Sequence, residues 1–240
     1  MPKKRINQNT IYDEEFINSI EPDFTFANKP INRFKIIQDQ SELNSINKNK
    51  LLTELKKQIN SIEDCNLKSH SKKLILGDGN LNSPIMIIGE APGVEESKTG
   101  LTFQGDVGRL LNKMLSTINI EKKNTYLSYA INFQPPEDRK PTSQEIKRYS
   151  IFLKKHISII DPKILILMGS TAMESIIGFN EKISSERGKW KEIIINNKTY
   201  PIIITFNPSY LIRFPENKKY SWEDLKKIKQ KIQDLNLKPQ

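Results

Sequence analysis

Residues 83–104, SPIMIIGEAPGVEESKTGLTFQ, constrain this chain more than any other stretch. A short apolar run, Ile85-Met86-Ile87-Ile88, stops at Gly89-Glu90-Ala91-Pro92-Gly93. A polar loop then leads to Gly100 and Phe103, and helical periodicity starts soon after. Buried strand, glycine turn, carboxylate and helix, in that order, describe the carboxyl end of a strand in a parallel α/β sheet. Such sheets hold their ligands there. Glu90 is therefore the most informative single residue.

The alternation continues downstream. A helix is expected over 108–118, then a strand over 125–131 that breaks at Pro135-Pro136. Thr142 and Ser143 ahead of Glu145 are a start signal for a helix that Asp161-Pro162 ends. A buried strand over 163–168 leads through Gly169-Ser170 into a short helix. A hairpin-like stretch around 193–200 enters a fourth strand at 201–206, and a lysine-rich helix closes the chain at 221–235. This order predicts a three-layer α/β domain, a central four-stranded parallel sheet flanked by helices. Upstream, Leu51, Leu52, Leu55, Ile59 and Ile62 repeat at helical spacing, and Leu74-Ile75-Leu76 reads as a brief extended piece ending in Gly77-Asp78-Gly79-Asn80. Residues 1–45 lack sustained periodicity and are expected to form an N-terminal extension, an arm ahead of a domain over 46–238.

The chain has 38 Lys and Arg against 28 Asp and Glu, a net charge of +10, which points to a polyanionic partner such as DNA. The same excess arises in any chain this rich in Lys, Asn and Ile, so charge alone leaves the partner open. One cysteine, Cys65, excludes an internal disulfide, and with only His70 and His156 as histidines a zinc site is not expected. His156, on an amphipathic helix, reads as structural. No apolar run approaches the roughly 20 residues that span a bilayer. The opening MPKKRINQNT has no apolar segment behind it, so no membrane association and a cytoplasmic, monomeric protein are expected.

Gly89-Glu90-Ala91-Pro92-Gly93 with Gly100-Leu101-Thr102-Phe103 resembles the first motif of the family-four uracil-DNA glycosylases. Four further blocks resemble that family in order: 125–136, 162–169, Arg187-Gly188-Lys189-Trp190, and Asn207-Pro208-Ser209-Tyr210-Leu211-Ile212-Arg213. A closing Trp222 to Leu225 follows. The resemblance covers about residues 60–235. It implies a DNA repair hydrolase that removes uracil or another deaminated base by cleaving its glycosidic bond. Catalytic roles then fall to Glu90 and to Asn207, and the base pocket to Gly89, Ala91, Phe103 and Tyr129. Gly93 and its neighbours would bring backbone amides to the departing base. Ser209 and Arg213 would hold phosphates, Arg187 would add a DNA contact, and Leu211 would be the wedge pushed into the duplex.

The sequence departs from the family in three places. The family ties an iron–sulfur cluster with four cysteines, but only Cys65 matches; Ile62, Phe133 and Tyr149 stand at the other positions, so no cluster and no metal are expected. Asn207 stands where the family has histidine, and Tyr129 where it has an asparagine that reads the uracil edge. Asn132, three residues on, points to the opposite face of a regular strand. Three readings stay open: a glycosylase, a glycosylase fold that binds DNA without turnover, and a nucleotide-binding α/β protein that uses the 89–93 turn.

Overall fold

Each of the four apolar runs forms a strand of one sheet in the computed structural model, which describes residues 33–63, 66–71, 73–178 and 181–237, with side chains from Asn44 onward. The strands are β1 (Gly77–Gly79), β2 (Ile85–Gly89), β3 (Tyr126–Tyr129), β4 (Ile164–Met168), β5 (Trp190–Ile195) and β6 (Lys198–Thr205), in the order β1-β3-β2-β4-β6-β5. The helices are α1 (Arg33–Asn60), α2 (Asn66–His70), α3 (Val94–Thr99), α4 (Gly105–Ser116), α5 (Ser143–Ile160), α6 (Ser170–Ile177), α7 (Ile183–Glu186), α8 (Pro208–Arg213) and α9 (Lys218–Asp234).

The four expected strands, β3, β2, β4 and β6, are mutually parallel. The sheet has six strands because an antiparallel strand is added at each edge. β5 overlaps the hairpin-like stretch expected around 193–200, whereas β1 does not announce itself. β1 is Gly-Asp-Gly, poor in strand formers, and pairs with β3 because a bare glycine admits close approach: a Cβ on Gly77 would sit 2.6 Å from the Leu127 carbonyl. β5 joins β6 through Asn196 and Asn197, both left-handed at φ +49° and +62°, the conformation a two-residue hairpin needs. The hairpin starts β6 at Lys198, ahead of Pro201. Pro201 pairs only with β5, and contact with β4 begins at Ile202, so its missing N–H leaves that ladder intact.

Side-chain alternation sends Met86, Ile88, Leu165 and Leu167 to one face and Ile85, Ile87, Ile164 and Ile166 to the other. The first face packs against Leu52, Leu55 and Ile59 of α1 and Ile146, Leu153 and Ile157 of α5; the second against Leu111 and Leu115 of α4 and Leu225 and Ile228 of α9. β2 and β4 are buried along their whole length, as a doubly covered parallel sheet requires. α5 begins where the sequence reading placed it. The Thr142 hydroxyl accepts from the Glu145 N–H, and the Glu145 carboxylate accepts from the Thr142 N–H. Left-handed Asp161 ends the helix.

His156 is fully buried and belongs to the scaffold. The Ser128 hydroxyl donates to the Leu76 carbonyl at 2.8 Å, which leaves its oxygen to accept from His156 Nδ1–H at 3.2 Å. His156 Nε2 then accepts from the Tyr126 hydroxyl at 2.9 Å. Burial holds the imidazole neutral, its pKa down to about 3.

The chain divides into two compact units, Met1–Gln40 and Ser41–Gln240. Residues 1–32 of the expected extension, and Cys65, lie outside the described residues. Residues 33–45, expected to belong to an extended arm, are helical and form the first part of α1.

Candidate active site

Four parallel strands end at one cleft of about 1070 Å3, lined among others by Glu90 after β2, Tyr129 at the end of β3, Gly169 after β4 and Asn207 after β6. Topology alone brings these four residues, distant in sequence, to one rim.

Glu90 is half-buried and has three donors. Its Oε1 accepts from the Thr171 N–H at 3.0 Å and the Ser170 hydroxyl at 3.3 Å, both in the first turn of α6, whose amides have no partner within the helix. Its Oε2 accepts from Asn207 Nδ2 at 3.1 Å. Gly169, at φ +102°, makes room: a Cβ there would lie 2.4 Å from the Glu90 Cδ. Asn207 caps α8, its Oδ1 accepting from the Ser209 N–H at 3.1 Å. With the carbonyl so engaged, the amide must turn its NH2 to Glu90, and one N–H remains for a ligand.

Phe103 and Tyr129 form a stacked pair with ring centroids 5.0 Å apart, 1 % and 3 % exposed. Gly89 lies beneath them; a Cβ on it would meet Phe103 at 2.7 Å and Tyr129 at 2.8 Å. Phe103 is left-handed at φ +48°, an unfavourable state for an aromatic residue. It is held there from both sides. Its N–H donates to the Tyr129 hydroxyl at 2.8 Å and its carbonyl accepts from Lys122 Nζ at 3.1 Å. Burial, with the nearby Glu96 charge, pushes the Tyr129 hydroxyl well above its ordinary pKa, so it stays protonated. Asn132 is turned away from the cleft, donating to the Ile75 carbonyl.

The loop between β2 and α4 is closed by buried Glu96, which accepts from the Gly93 N–H at 3.0 Å and the Gln104 N–H at 2.8 Å. The Gly93 amide, expected to face a departing base, is therefore taken. Asp78 of β1 adds two hydrogen bonds to Thr102.

Two further expectations need correction. Leu211 is not exposed: it is 1 % accessible and packs in the core with the α4 side chains. The helical turn of α8 sends Leu211 inward, and the exposed apolar groups on this segment are Ile212 and Phe214. Arg187 lines the cleft but its guanidinium is committed: it pairs with buried Asp224 at 2.5 Å, donates to the Tyr220 carbonyl and lies between the Phe206 and Tyr220 rings. Asp224 also accepts from the Thr205 hydroxyl at 2.8 Å, and a Cβ on Gly188 would strike it at 2.3 Å. Ala91, Ser209 and Arg213 line the cleft, and Arg213 is exposed, with no ion pair among the described residues.

The positions matched to cluster ligands do not fit an iron–sulfur group. Phe133 and Tyr149 are buried with their rings edge-to-face at 6.4 Å, and Ile62 packs on the same core. No group of three or more metal-ligating side chains occurs among the described residues. A single thiolate in the chain cannot hold such a cluster. No helix among the described residues is long and apolar enough to cross a membrane.

Comparison with known proteins agrees with this geometry. Residues 76–229 match the model of the uracil DNA glycosylase superfamily. The chain is 34% identical over 168 residues to a type-4 uracil-DNA glycosylase of Thermotoga maritima, covering 69% of this chain and 86% of that protein. It is 32% identical over 187 residues to one from Sulfurisphaera tokodaii (75% and 84%) and 28% over 181 residues to one from Archaeoglobus fulgidus (74% and 91%). By its ordered sequence blocks, its sheet and these relatives, the chain belongs to the uracil-DNA glycosylase superfamily.

Proposed function

We propose that this protein is a DNA glycosylase that hydrolyses the N-glycosidic bond of uracil or another deaminated base. The observation that carries the reading is Glu90, a carboxylate at the strand ends fixed by Thr171, Ser170 and Asn207 and open to a cleft beside Phe103. Cleavage develops positive charge on the sugar and negative charge on the leaving base. A fixed carboxylate orients the attacking water and offsets the cation, and the remaining Asn207 N–H offers a neutral donor to the departing oxygen. Gly89, Ala91, Phe103 and Tyr129 form the base pocket in this reading, while Ser209 and Arg213 meet phosphates. Arg187 acts at one remove, by fixing the wall that Phe206 and Tyr220 form. No step involves a metal cluster.

Release of free base from uracil-containing single- and double-stranded DNA by the purified protein tests this. With turnover established, Glu90→Gln keeps the side chain's shape, removes its charge and is expected to slow single-turnover excision more than about 100-fold. Unchanged excision by that variant overturns the assignment of Glu90.

One observation favours a second reading, a glycosylase fold that binds DNA without excision. The Tyr129 ring fills the space above Gly89 and its hydroxyl is engaged by Phe103, so no side-chain amide is left there to read a uracil edge. Tight DNA binding with no base release from any deaminated substrate supports that alternative.

A further inference from the structure

A ladder of π faces runs out of the cleft. Phe206 stacks on Tyr210 at 5.0 Å, and Tyr210 packs on Phe214 at 4.8 Å. On the other side of Phe206 the Arg187 guanidinium lies 5.6 Å from its ring and 5.1 Å from that of Tyr220. Phe206 is buried, whereas Phe214 and Tyr220, the outer rungs, are 45% and 43% exposed. Together with Trp222 they are the only large exposed aromatic side chains among the described residues, all within one nine-residue stretch. Tyr220 lines the cleft, and exposed aromatics concentrated in one segment beside it mark an interaction surface.

The surroundings say what it meets. Arg213, Lys218 and Lys219 are exposed along the same segment, with no ion pair among the described residues, and Lys219 Nζ stands 5.0 Å over the Tyr220 ring. Glu216 is the sole acid between Phe206 and Trp222. The segment that carries the outer ring is also held: the Asn217 N–H donates to the Phe214 carbonyl at 3.1 Å, and Asn217 Nδ2 donates to the Tyr210 hydroxyl at 3.2 Å. Aromatic faces interleaved with exposed cations suit unpaired bases on a phosphate backbone. A duplex hides its base faces within its own stack and offers nothing to such rings.

We propose that Phe214 and Tyr220 form a stacking platform for unpaired bases flanking the extruded nucleotide, and that this platform gives the protein a preference for single-stranded DNA. The platform rests on the DNA-glycosylase reading, and it is tested by binding alone. Fluorescence anisotropy is measured at low salt with an oligothymidylate of about 16 nucleotides and with a duplex of the same length. Wild type is expected to bind the single strand more tightly. Phe214→Leu keeps apolar bulk but removes the outer ring face; it is expected to lose about fivefold or more in single-strand affinity while duplex affinity stays within about twofold. Phe214→Trp, which retains a ring, is expected to keep single-strand affinity. Unfolding transitions of the variants that match wild type exclude misfolding as the cause. A folded Phe214→Leu variant that binds both probes like wild type overturns the platform. So does a wild type that binds the duplex as tightly as the single strand, and that result leaves the glycosylase reading standing. Binding to neither probe defeats the DNA reading itself, and the platform with it.

Discussion

The side-chain amide of Asn207 donates to the Glu90 carboxylate across 3.1 Å while its carbonyl caps the helix that follows. Asn207 thus serves two elements at once, and it lines the cleft with one amide N–H left for a ligand. Asn207→Asp keeps the cap but replaces the donor with an anion. For a protein that excises a base, the rate is expected to fall about 100-fold or more in single-turnover assays. Asn207→His is expected to raise it, since imidazole is the better donor to a departing oxygen. A faster Asp variant would contradict the donor role.

Tyr129 bears on both substrate and stability. Tyr129→Phe removes the acceptor for the buried Phe103 N–H and is expected to destabilise the fold by about 1–3 kcal/mol in urea titrations. Tyr129→Asn removes the ring from above Gly89 and provides an amide. With Asn207→His it is expected to shift excision toward uracil, measured as the ratio of rates on uracil and on other deaminated bases. No change in that ratio separates Tyr129 from base selection.

Asp224→Ala leaves the Arg187 guanidinium without its partner between two rings, and breaking a largely buried ion pair from one side costs about 3–5 kcal/mol. The expected result is a lowered thermal midpoint with equal loss of single- and double-strand binding, because the whole wall loosens. Loss confined to one kind of DNA would assign Asp224 a more direct role.

What could be read from the sequence follows from how local each signal is. The Thr142–Glu145 cap and the strand–turn run at 85–93 are written within a few residues, and both stand where expected. The inward turn of Leu211 was hidden because neighbouring positions 211 and 212 are both aliphatic, and only packing against α4 decides which goes inward. The Arg187–Asp224 pair joins blocks 37 residues apart, a separation that no periodicity spans. β1 has too little strand propensity to be seen, and its pairing depends on the missing side chain of Gly77.

His156 predicts a pH dependence. Its folded pKa, about 3, lies below the ordinary 6.5, so its neutral form favours folding above pH 6.5. That contribution is lost as pH falls from about 6.5 toward 3, at up to about 1.4 kcal/mol per pH unit. Denaturant midpoints between pH 7 and 4 are expected to fall along this slope in wild type and to flatten in His156→Asn. Equal slopes in the two proteins would remove His156 as the cause.

Purified protein is expected to be colourless and to contain no stoichiometric iron, because aromatic packing by Phe133 and Tyr149 fills positions the family gives to cluster ligands. About four iron atoms per chain, with visible absorbance, would refute this.

Gly169 carries no reactive group, yet the Glu90 carboxylate rests in the hollow its missing side chain leaves. A methyl group there would push the carboxylate out of register with Thr171 and Asn207 without removing a charge or a cation from the DNA-facing surface. If the protein excises a damaged base, Gly169→Ala is therefore a route to a capture reagent, a variant that engages the target and leaves its glycosidic bond intact. Immobilised, it could retrieve from a mixture of oligonucleotides the lesion for which this pocket is shaped.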